Sequence, residues 1–128
     1  MTETRQARLV HLAERDVWER SAAQAVYVPR EWQRDGFIHL SRIDQVLTPA
    51  NRFYRGREDL LALVIDAFYL GDAVVWEAGT DTEELFPHLY AAVPAESVLA
   101  EIDFPPGDDG TFVLPPALVR AVRSPLGR

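Results

Sequence analysis

An unbroken apolar run at residues 60–65 constrains the fold of this chain more than any other feature. Consecutive apolar residues without a polar neighbour are typical of a strand that is buried on both faces. The run is far too short to cross a bilayer. We therefore predict a strand with packed layers on both of its sides. The chain has 128 residues, of which 48% are hydrophobic, so one domain can supply those layers.

Shorter patterns predict the elements around this strand. Asp16 and Glu19 have the spacing of a capping box, which predicts a short helix. Ser41 is a candidate N-cap for a second helix, which Pro49 should kink or split near Thr48. Further runs predict a short terminal helix at 115–122 and strands at 8–12, 37–40, 73–76, 87–93, 98–104 and 111–114. Together these elements predict an α+β fold in a single compact domain of residues 1–128, with a core of about 8–122. Its short strands are mostly antiparallel, and two helices come early in the chain.

Composition excludes several kinds of chemistry. The chain contains no cysteine, which excludes disulfides, thiolate metal sites and a cysteine nucleophile. Its 13 basic side chains are all arginine, against 20 acidic ones, which gives a net charge of -7. Bulk nucleic acid is therefore disfavoured as a partner, while one local phosphate pocket is compatible with this balance. The first ten residues lack the pattern of a signal peptide and no membrane contact is predicted, so we expect a cytoplasmic protein.

Each of the three histidines, His11, His39 and His88, falls inside a predicted strand. One interpretation is that each is a buried, hydrogen-bonded core residue, and the other is that they serve a ligand. His39 alternates with Phe37 and Ser41, which places these three side chains on one face of a strand. If His11 faces the same cleft, the two imidazoles could hold ribose hydroxyls. No two histidines have the short spacing of a zinc site, so we predict no metal.

A group of polar residues near the end of the second predicted helix suits a phosphate. It comprises Asn51, Arg52, Arg55 and Arg57. Because arginine pairs bidentately with phosphate, this group is a candidate contact for a diphosphate or a nucleic acid. The alternative is a solvated face whose arginines pair with the two acidic residues that follow.

Residues 76–90 also contain several aromatic and titratable side chains. A carboxylate at Glu77 could stabilise a sugar cation, or it could be an ordinary charge at a strand end. Trp76 and Tyr90 are candidates to stack on a planar ring, although the segment FPHLY at 86–90 also suits a core strand. The sequence contains no Gly-rich phosphate loop and no nucleophile elbow.

Several blocks together resemble a bacterial family known as domain of unknown function 952. They are VHL at 10–12, GFIHLS at 36–41, ANRFYRG at 50–56, ID at 65–66, WE at 76–77 and FPHLY at 86–90. The resemblance extends from about residue 9 to residue 114, and GFIHLS and FPHLY are its most specific parts. The family is in turn similar to a compact ADP-ribosyltransferase, with the RNA 2'-phosphotransferases as the closest likeness.

This resemblance implies a cleft that takes NAD, or another ADP-ribosyl or phosphorylated nucleotide, as its substrate. His11 matches a first-strand histidine that contacts the ribose or adenosine. His39, with Ser41 beside it, matches the histidine of the second strand. Arg52 and Arg55 match arginines that precede a buried Ile-Asp strand.

The resemblance also implies transfer of ADP-ribose or of a phosphate. Its third motif position falls on Glu77 or on the strand of His88, and the two remain alternatives. In ADP-ribosyl transfer the nicotinamide–ribose bond would break through an oxocarbenium-like state that a carboxylate can stabilise. The other function class is a non-catalytic module that binds a nucleotide or a protein through the same cleft, because no residue is an unmistakable general base or nucleophile.

Overall fold

The computed structural model describes residues 7–21 and 23–124. The strands are β1 (Arg8–Glu14), β2 (Val26–Tyr27), β3 (Ile38–His39), β4 (Leu60–Asp66), β5 (Val74–Ala78), β6 (Leu85–Leu89), β7 (Val93–Pro94) and β8 (Val98–Asp103). The helices are α1 (Arg15–Arg20), α2 (Glu31–Asp35), α3 (Leu47–Phe53) and α4 (Pro116–Arg123), with 3₁₀ turns at Ala67–Tyr69, Gly71–Ala73 and Ala95–Ser97. All strand pairs in the described residues are antiparallel, so the predicted α+β fold class is confirmed. A membrane-spanning helix would have to be longer and more apolar than any in these ranges.

The apolar run forms β4, the middle strand of a sheet with the order β1-β4-β8. All seven residues of β4 are buried. Leu61, Leu63 and Ile65 belong to one apolar cluster, and the residues between them belong to a second one. Because side chains alternate across a strand, β4 separates two cores. The prediction of a strand that is buried on both faces is confirmed.

A second sheet has the order β3-β6-β5. Ile38 pairs with Leu89 and His39 pairs with His88, so apolar and imidazole side chains alternate between its two faces. Ile38 and Leu89 are fully buried and belong to the first apolar cluster. One face of this sheet therefore closes a core, and the other is left for polar groups. β2 and β7 form a separate pair.

The second predicted helix begins later than its sequence pattern indicates. Ser41 is not an N-cap, because its N–H and C=O form a bridge with Val10 of β1 through hydrogen bonds of 2.9 and 2.8 Å. Helix α3 begins at Leu47, and Pro49 lies in its first turn. Proline is tolerated there because the first N–H groups of a helix have no partner within it. Pro49 therefore marks a helix start and does not split a longer helix.

Other local features also differ from the predictions, including the strand predicted at 87–93, which is observed as β6 at Leu85–Leu89. No side chain caps α1, so Asp16 and Glu19 do not form a capping box. The segment 111–114 is not a strand, because the backbone N–H of its Phe112 bonds the side chain of Asn51 instead of a neighbouring strand. Helix α2 was absent from the predicted elements, and it ends at Gly36 in the left-handed conformation that glycine adopts readily (φ 79°).

Candidate functional site

One face of the β3-β6-β5 sheet brings imidazole and aromatic side chains together. His39 and His88 occupy paired positions, and their ring centroids are 5.5 Å apart. Phe37 stacks on His88 with 4.1 Å between centroids and lies 5.4 Å from the ring of Tyr90. Phe37, which directly precedes β3, and His39 within β3 thus lie on one face of the sheet, as their alternation in the sequence indicates.

Glu77 of β5 orients the ring of His88. Its Oε1 accepts hydrogen bonds from Nδ1 of His88 at 2.8 Å and from the Tyr90 hydroxyl at 2.6 Å. Because an ionised carboxylate only accepts, the proton of neutral His88 lies on Nδ1. The bonds from Tyr90 and then from His88 hold the pKa of Glu77 below its ordinary value. The lone pair of neutral His88 is therefore on Nε2, to which no described residue is hydrogen-bonded.

His39 has a carboxylate partner of its own. Its Nε2 donates to Oδ2 of Asp35 at 2.7 Å, which leaves Nδ1 without a partner in the described ranges. Arg34 bonds both oxygens of the same carboxylate, at 3.0 and 2.8 Å. The hydrogen bond from Arg34 is the main cause of the low pKa of Asp35, about 2, to which the bond from His39 adds. Asp35 is therefore ionised throughout the pH range in which an imidazole ordinarily titrates.

The two imidazoles form a pair that is suited to proton transfer. In each ring one nitrogen is fixed by a carboxylate and the other is unbonded, which is the arrangement that orients a general acid or base. The hydrogen bonds are at opposite ring positions, Nε2 in His39 and Nδ1 in His88. Within the described residues no three potential metal ligands come together.

His11 lies outside this pair. It is 1% exposed, and its Nδ1 donates to the carbonyl of His39 at 2.8 Å. A carbonyl only accepts, so Nε2 must accept from the Tyr27 hydroxyl, 3.0 Å away. Both ring nitrogens are thus used within the protein, as expected of a core histidine. The expected pairing of His11 with His39 around a cleft is therefore not observed, and His39 faces His88 instead.

A cavity of about 550 Å³ opens beside the two imidazoles. It lies between β3, β6, the ends of α2 and α3, and the turn that joins β5 to β6. Its lining includes His39, His88, Ser41 and Asp35. The lining also includes three arginines and three aromatic residues that could contact a ligand: Arg34, Arg52, Arg57, Phe53, Tyr54 and Phe86. The volume suits a small molecule, and the wall offers both cationic and aromatic groups to it.

The predicted phosphate-binding group is divided by the structure. Arg52 lines the cavity, where it bonds the Thr80 carbonyl at 3.1 Å and Asp81 at 2.8 Å. Arg57 lines it too, and its bonds to Asp59 and Glu14 raise its pKa. Arg52 and Arg57 therefore both have carboxylate partners that an anionic ligand would have to replace.

The other two members of that group lie elsewhere. Asn51 exchanges hydrogen bonds with the backbone of Phe112, donating to its C=O at 3.3 Å and accepting from its N–H at 2.7 Å. Arg55 is exposed and does not line the cavity, and its side chain lies beside Gly110. The structure therefore does not bring Asn51 and Arg55 to the site, and Asn51 instead holds the segment that follows β8.

Trp76 and Glu77 are neighbours on β5, so their side chains lie on opposite faces of the sheet. Trp76 packs against the first apolar cluster, with the guanidinium carbon of Arg42 5.6 Å from its ring centre, and it does not line the cavity. Tyr90 lies on the histidine face and is 43% exposed. Glu77 and His88, the two alternatives for one motif position, are joined by a hydrogen bond and form a single unit.

Asp35 and Arg34 are site residues that the sequence analysis did not single out. A signal was present in Gly36, which separates a polar segment from the strand of His39. Such a glycine ends a helix and reverses the chain, which brings the last helical turn beside the following strand. The helix itself has only five residues and no apolar periodicity, so this signal was weak.

Comparisons with known proteins agree with this architecture. The chain belongs to the family described as "Protein of unknown function (DUF952)", whose model matches residues 12–101. The crystal structure of protein CC0527 from Caulobacter crescentus is similar, with 31% sequence identity and a TM-score of 0.79, and the match covers 88% of this chain and 98% of that one. The solution NMR structure of CC0527 matches with 31% identity and a TM-score of 0.71, covering 81% and 90% of the two chains. The comparison with curated proteins gave no match.

Proposed function

We propose that this DUF952 protein binds a phosphorylated nucleotide in the cavity beside His39 and His88, with NAD as the ligand to test first. We propose further that it is a transferase, in which His88 accepts the proton of the attacking group and His39 orients the reacting ribose by bonding one of its hydroxyls. The observation that carries the proposal is the adjacency of two histidines on the wall of a cavity that arginines also line: their rings are 5.5 Å apart, and each is bonded to a carboxylate.

The cavity wall supports a ligand with negative charge and a planar ring. Arg34, Arg52 and Arg57 are the cationic groups for a diphosphate. Phe53 and Phe86 are the aromatic groups that suit a base. The net charge of -7 still disfavours a long nucleic acid, and each of the three cavity arginines is paired with a carboxylate of the protein.

When water takes the place of the unidentified acceptor, the proposed reaction is transfer of ADP-ribose from NAD to water, with cleavage of the nicotinamide–ribose bond. The bonding electron pair moves to the nicotinamide nitrogen, so neutral nicotinamide leaves and an oxocarbenium-like ribose remains. Water attacks this carbon and transfers its proton to Nε2 of His88, which Glu77 holds in the required tautomer. Asp35 and Glu84 are the acidic residues of the cavity wall, and Glu77 is not among the lining residues, so Asp35 is better placed than Glu77 to stabilise the developing positive charge.

The test is a proton NMR titration of NAD into the protein, followed for hours. We expect broadening of the adenine and nicotinamide signals, followed by growth of a free nicotinamide signal. His88→Gln should slow nicotinamide release about 100-fold or more, the usual contribution of a general base. Release at an unchanged rate in that variant would contradict the role of His88.

Two arginines near the end of α3 provide a matched control for binding. Arg52→Ala removes a cation from the cavity wall and should weaken NAD binding about tenfold, which corresponds to about 1.4 kcal/mol. Arg55→Ala, three residues further along, removes a cation outside the cavity and should leave binding unchanged. Broadening without nicotinamide release would favour the non-catalytic module, and no broadening at millimolar NAD would exclude the dinucleotide.

A further inference from the structure

The strand that carries His39 has a strand partner on one side only. β3 consists of two residues and pairs with β6. The N–H of Leu40 bonds the Pro87 carbonyl at 3.0 Å. In the alternating pattern of an antiparallel pair, the N–H and C=O of His39 therefore point away from β6. On that side β1 bonds the backbone of this segment only two residues later, at Ser41, and no described strand pairs there with His39 itself.

Two buried side chains bond these groups. A carboxylate oxygen of Glu31 accepts from the N–H of His39. The C=O of His39 accepts a hydrogen bond from Nδ1 of His11. The two side chains come from α2 and β1, so together they substitute for the missing strand along this one residue.

The ring of His11 is itself held by a third buried group. Nε2 of His11 accepts from the hydroxyl of Tyr27, which is 1% exposed. Burial raises the pKa of Tyr27 above its ordinary value, so the hydroxyl keeps its proton and remains a donor. With Nε2 occupied as an acceptor, His11 has only Nδ1–H to offer, and that group bonds His39.

Helix α2 holds His39 at a second point. Glu31 and Asp35 are four residues apart and so lie on one face of the helix. The first bonds the main chain of His39 and the second bonds its ring. Gly36 ends the helix and allows the chain to turn back, so that both carboxylates reach a residue only a few positions later.

We infer that Glu31 and His11 are positioning residues for His39. By fixing both backbone groups of His39, they set the location from which its imidazole meets Asp35 and faces His88. The catalytic consequence of this positioning rests on the proposed function, whereas the positioning itself is a property of the free protein.

The test is performed first without a nucleotide, on the whole chain. Glu31→Met keeps the approximate size of the side chain but replaces the carboxylate with a thioether, which is only a weak acceptor. We expect the backbone amide of His39 to exchange with solvent at least tenfold faster, and the ring nitrogen signals of His39 to shift. The amide of Leu63, in the middle of β4 in the other sheet, is an internal control that should not change. Unchanged exchange and unchanged His39 ring signals would overturn the inference.

Two conservative variants keep the test decisive if Glu31→Met does not fold. Glu31→Gln retains an acceptor oxygen and should preserve both His39 signals. Glu31→Asp shortens the side chain by one methylene and should increase exchange at His39 as Glu31→Met does. Equal behaviour of the Gln and Asp variants would contradict the inference, because it would mean that the position of the acceptor is irrelevant.

The catalytic consequence is measured separately. If the protein releases nicotinamide, Glu31→Asp should lower kcat at least tenfold while KM changes less than threefold, and Glu31→Gln should stay close to the wild-type rate. A variant that shifts His39 without changing kcat would contradict a catalytic consequence. Absence of any NAD reaction would overturn the proposed function and leave the positioning result, obtained on the free protein, as an independent outcome.

Discussion

The two three-stranded sheets of this protein differ in how much of each sheet is buried and in which groups bond the strand backbones. In the β1-β4-β8 sheet, the seven residues of β4 are all buried, and its register with β1 extends over seven pairs. In the β3-β6-β5 sheet, β3 has two residues and depends on side chains for its outer hydrogen bonds. The first sheet obtains its stability from apolar burial on both faces. The second buries one face only, and this leaves the other available for titratable groups.

The histidines show the same contrast. His11, on the first sheet, has both ring nitrogens bonded to protein groups and is inaccessible. His39 and His88, on the second sheet, each have one nitrogen bonded to a carboxylate. All three occupy strands, so the residue type and its local setting do not separate a structural histidine from a candidate catalytic one. What separates the two kinds of histidine is the number of ring nitrogens that are bonded to protein groups.

The largest expected effect is a core truncation in the first sheet. Leu63→Ala, at a fully buried position of β4, should lower the free energy of unfolding by about 3 kcal/mol, because it removes buried apolar atoms and leaves a cavity. Val75→Ala, at a position of β5 that is 40% exposed, should cost less than about 1 kcal/mol. Urea unfolding measures both, and equal losses would contradict the distinction between the two sheets.

A smaller effect is expected for the hydrogen bond between Tyr27 of β2 and His11 of the first sheet. Tyr27→Phe leaves Nε2 of His11 buried without a donor, which should cost about 1–3 kcal/mol in urea unfolding. Tyr69→Phe, which removes a hydroxyl from a side chain that is 41% exposed, should change stability by less than about 0.5 kcal/mol. A Tyr27→Phe protein as stable as Tyr69→Phe would show that His11 is not held by this bond.

A pH-dependent change in stability should come from Asp35, whose carboxylate bonds His39 of the second sheet. Its pKa in the folded protein is about 2, below the ordinary value of 3.8, so the folded state prefers the ionised form. The stabilisation is complete above the ordinary value and is lost as the pH falls from about 4 through 2. The urea midpoints of wild type and Asp35→Asn should therefore differ most near neutral pH and converge toward pH 2. A difference that is constant with pH would contradict this account.

The smallest effect is expected for Tyr90→Phe. The hydroxyl of Tyr90 is the largest cause of the lowered pKa of Glu77, so its removal should raise that pKa toward the ordinary value. Carboxyl carbon NMR signals across a pH titration would measure the change. His88 remains bonded to Glu77, so the urea midpoint should stay the same. A Glu77 titration that is identical in wild type and variant would show that Tyr90 does not bond it in solution.

Much of the fold could be predicted from the sequence because it depends on local patterns. The run at 60–65 predicted a strand with two buried faces, and β4 is that strand. The terminal helix predicted at 115–122 is α4, Pro116–Arg123. Segment 111–114 shows the limit of such patterns. Its strand-like composition supplies Phe112 to the core, but its backbone bonds Asn51 from a distant helix, and no local pattern records that bond.

The sequence by itself determined the α+β class, the central apolar strand and the short list of residues that could carry chemistry, because hydrophobic periodicity and residue type are properties of neighbouring positions. Only the tertiary structure decided how those residues combine. Tyr27 lies 16 positions from His11, and Glu77 lies 11 positions from His88. The availability of each imidazole for a ligand depends on which groups bond its two nitrogens, and folding brings those groups from distant positions in the chain.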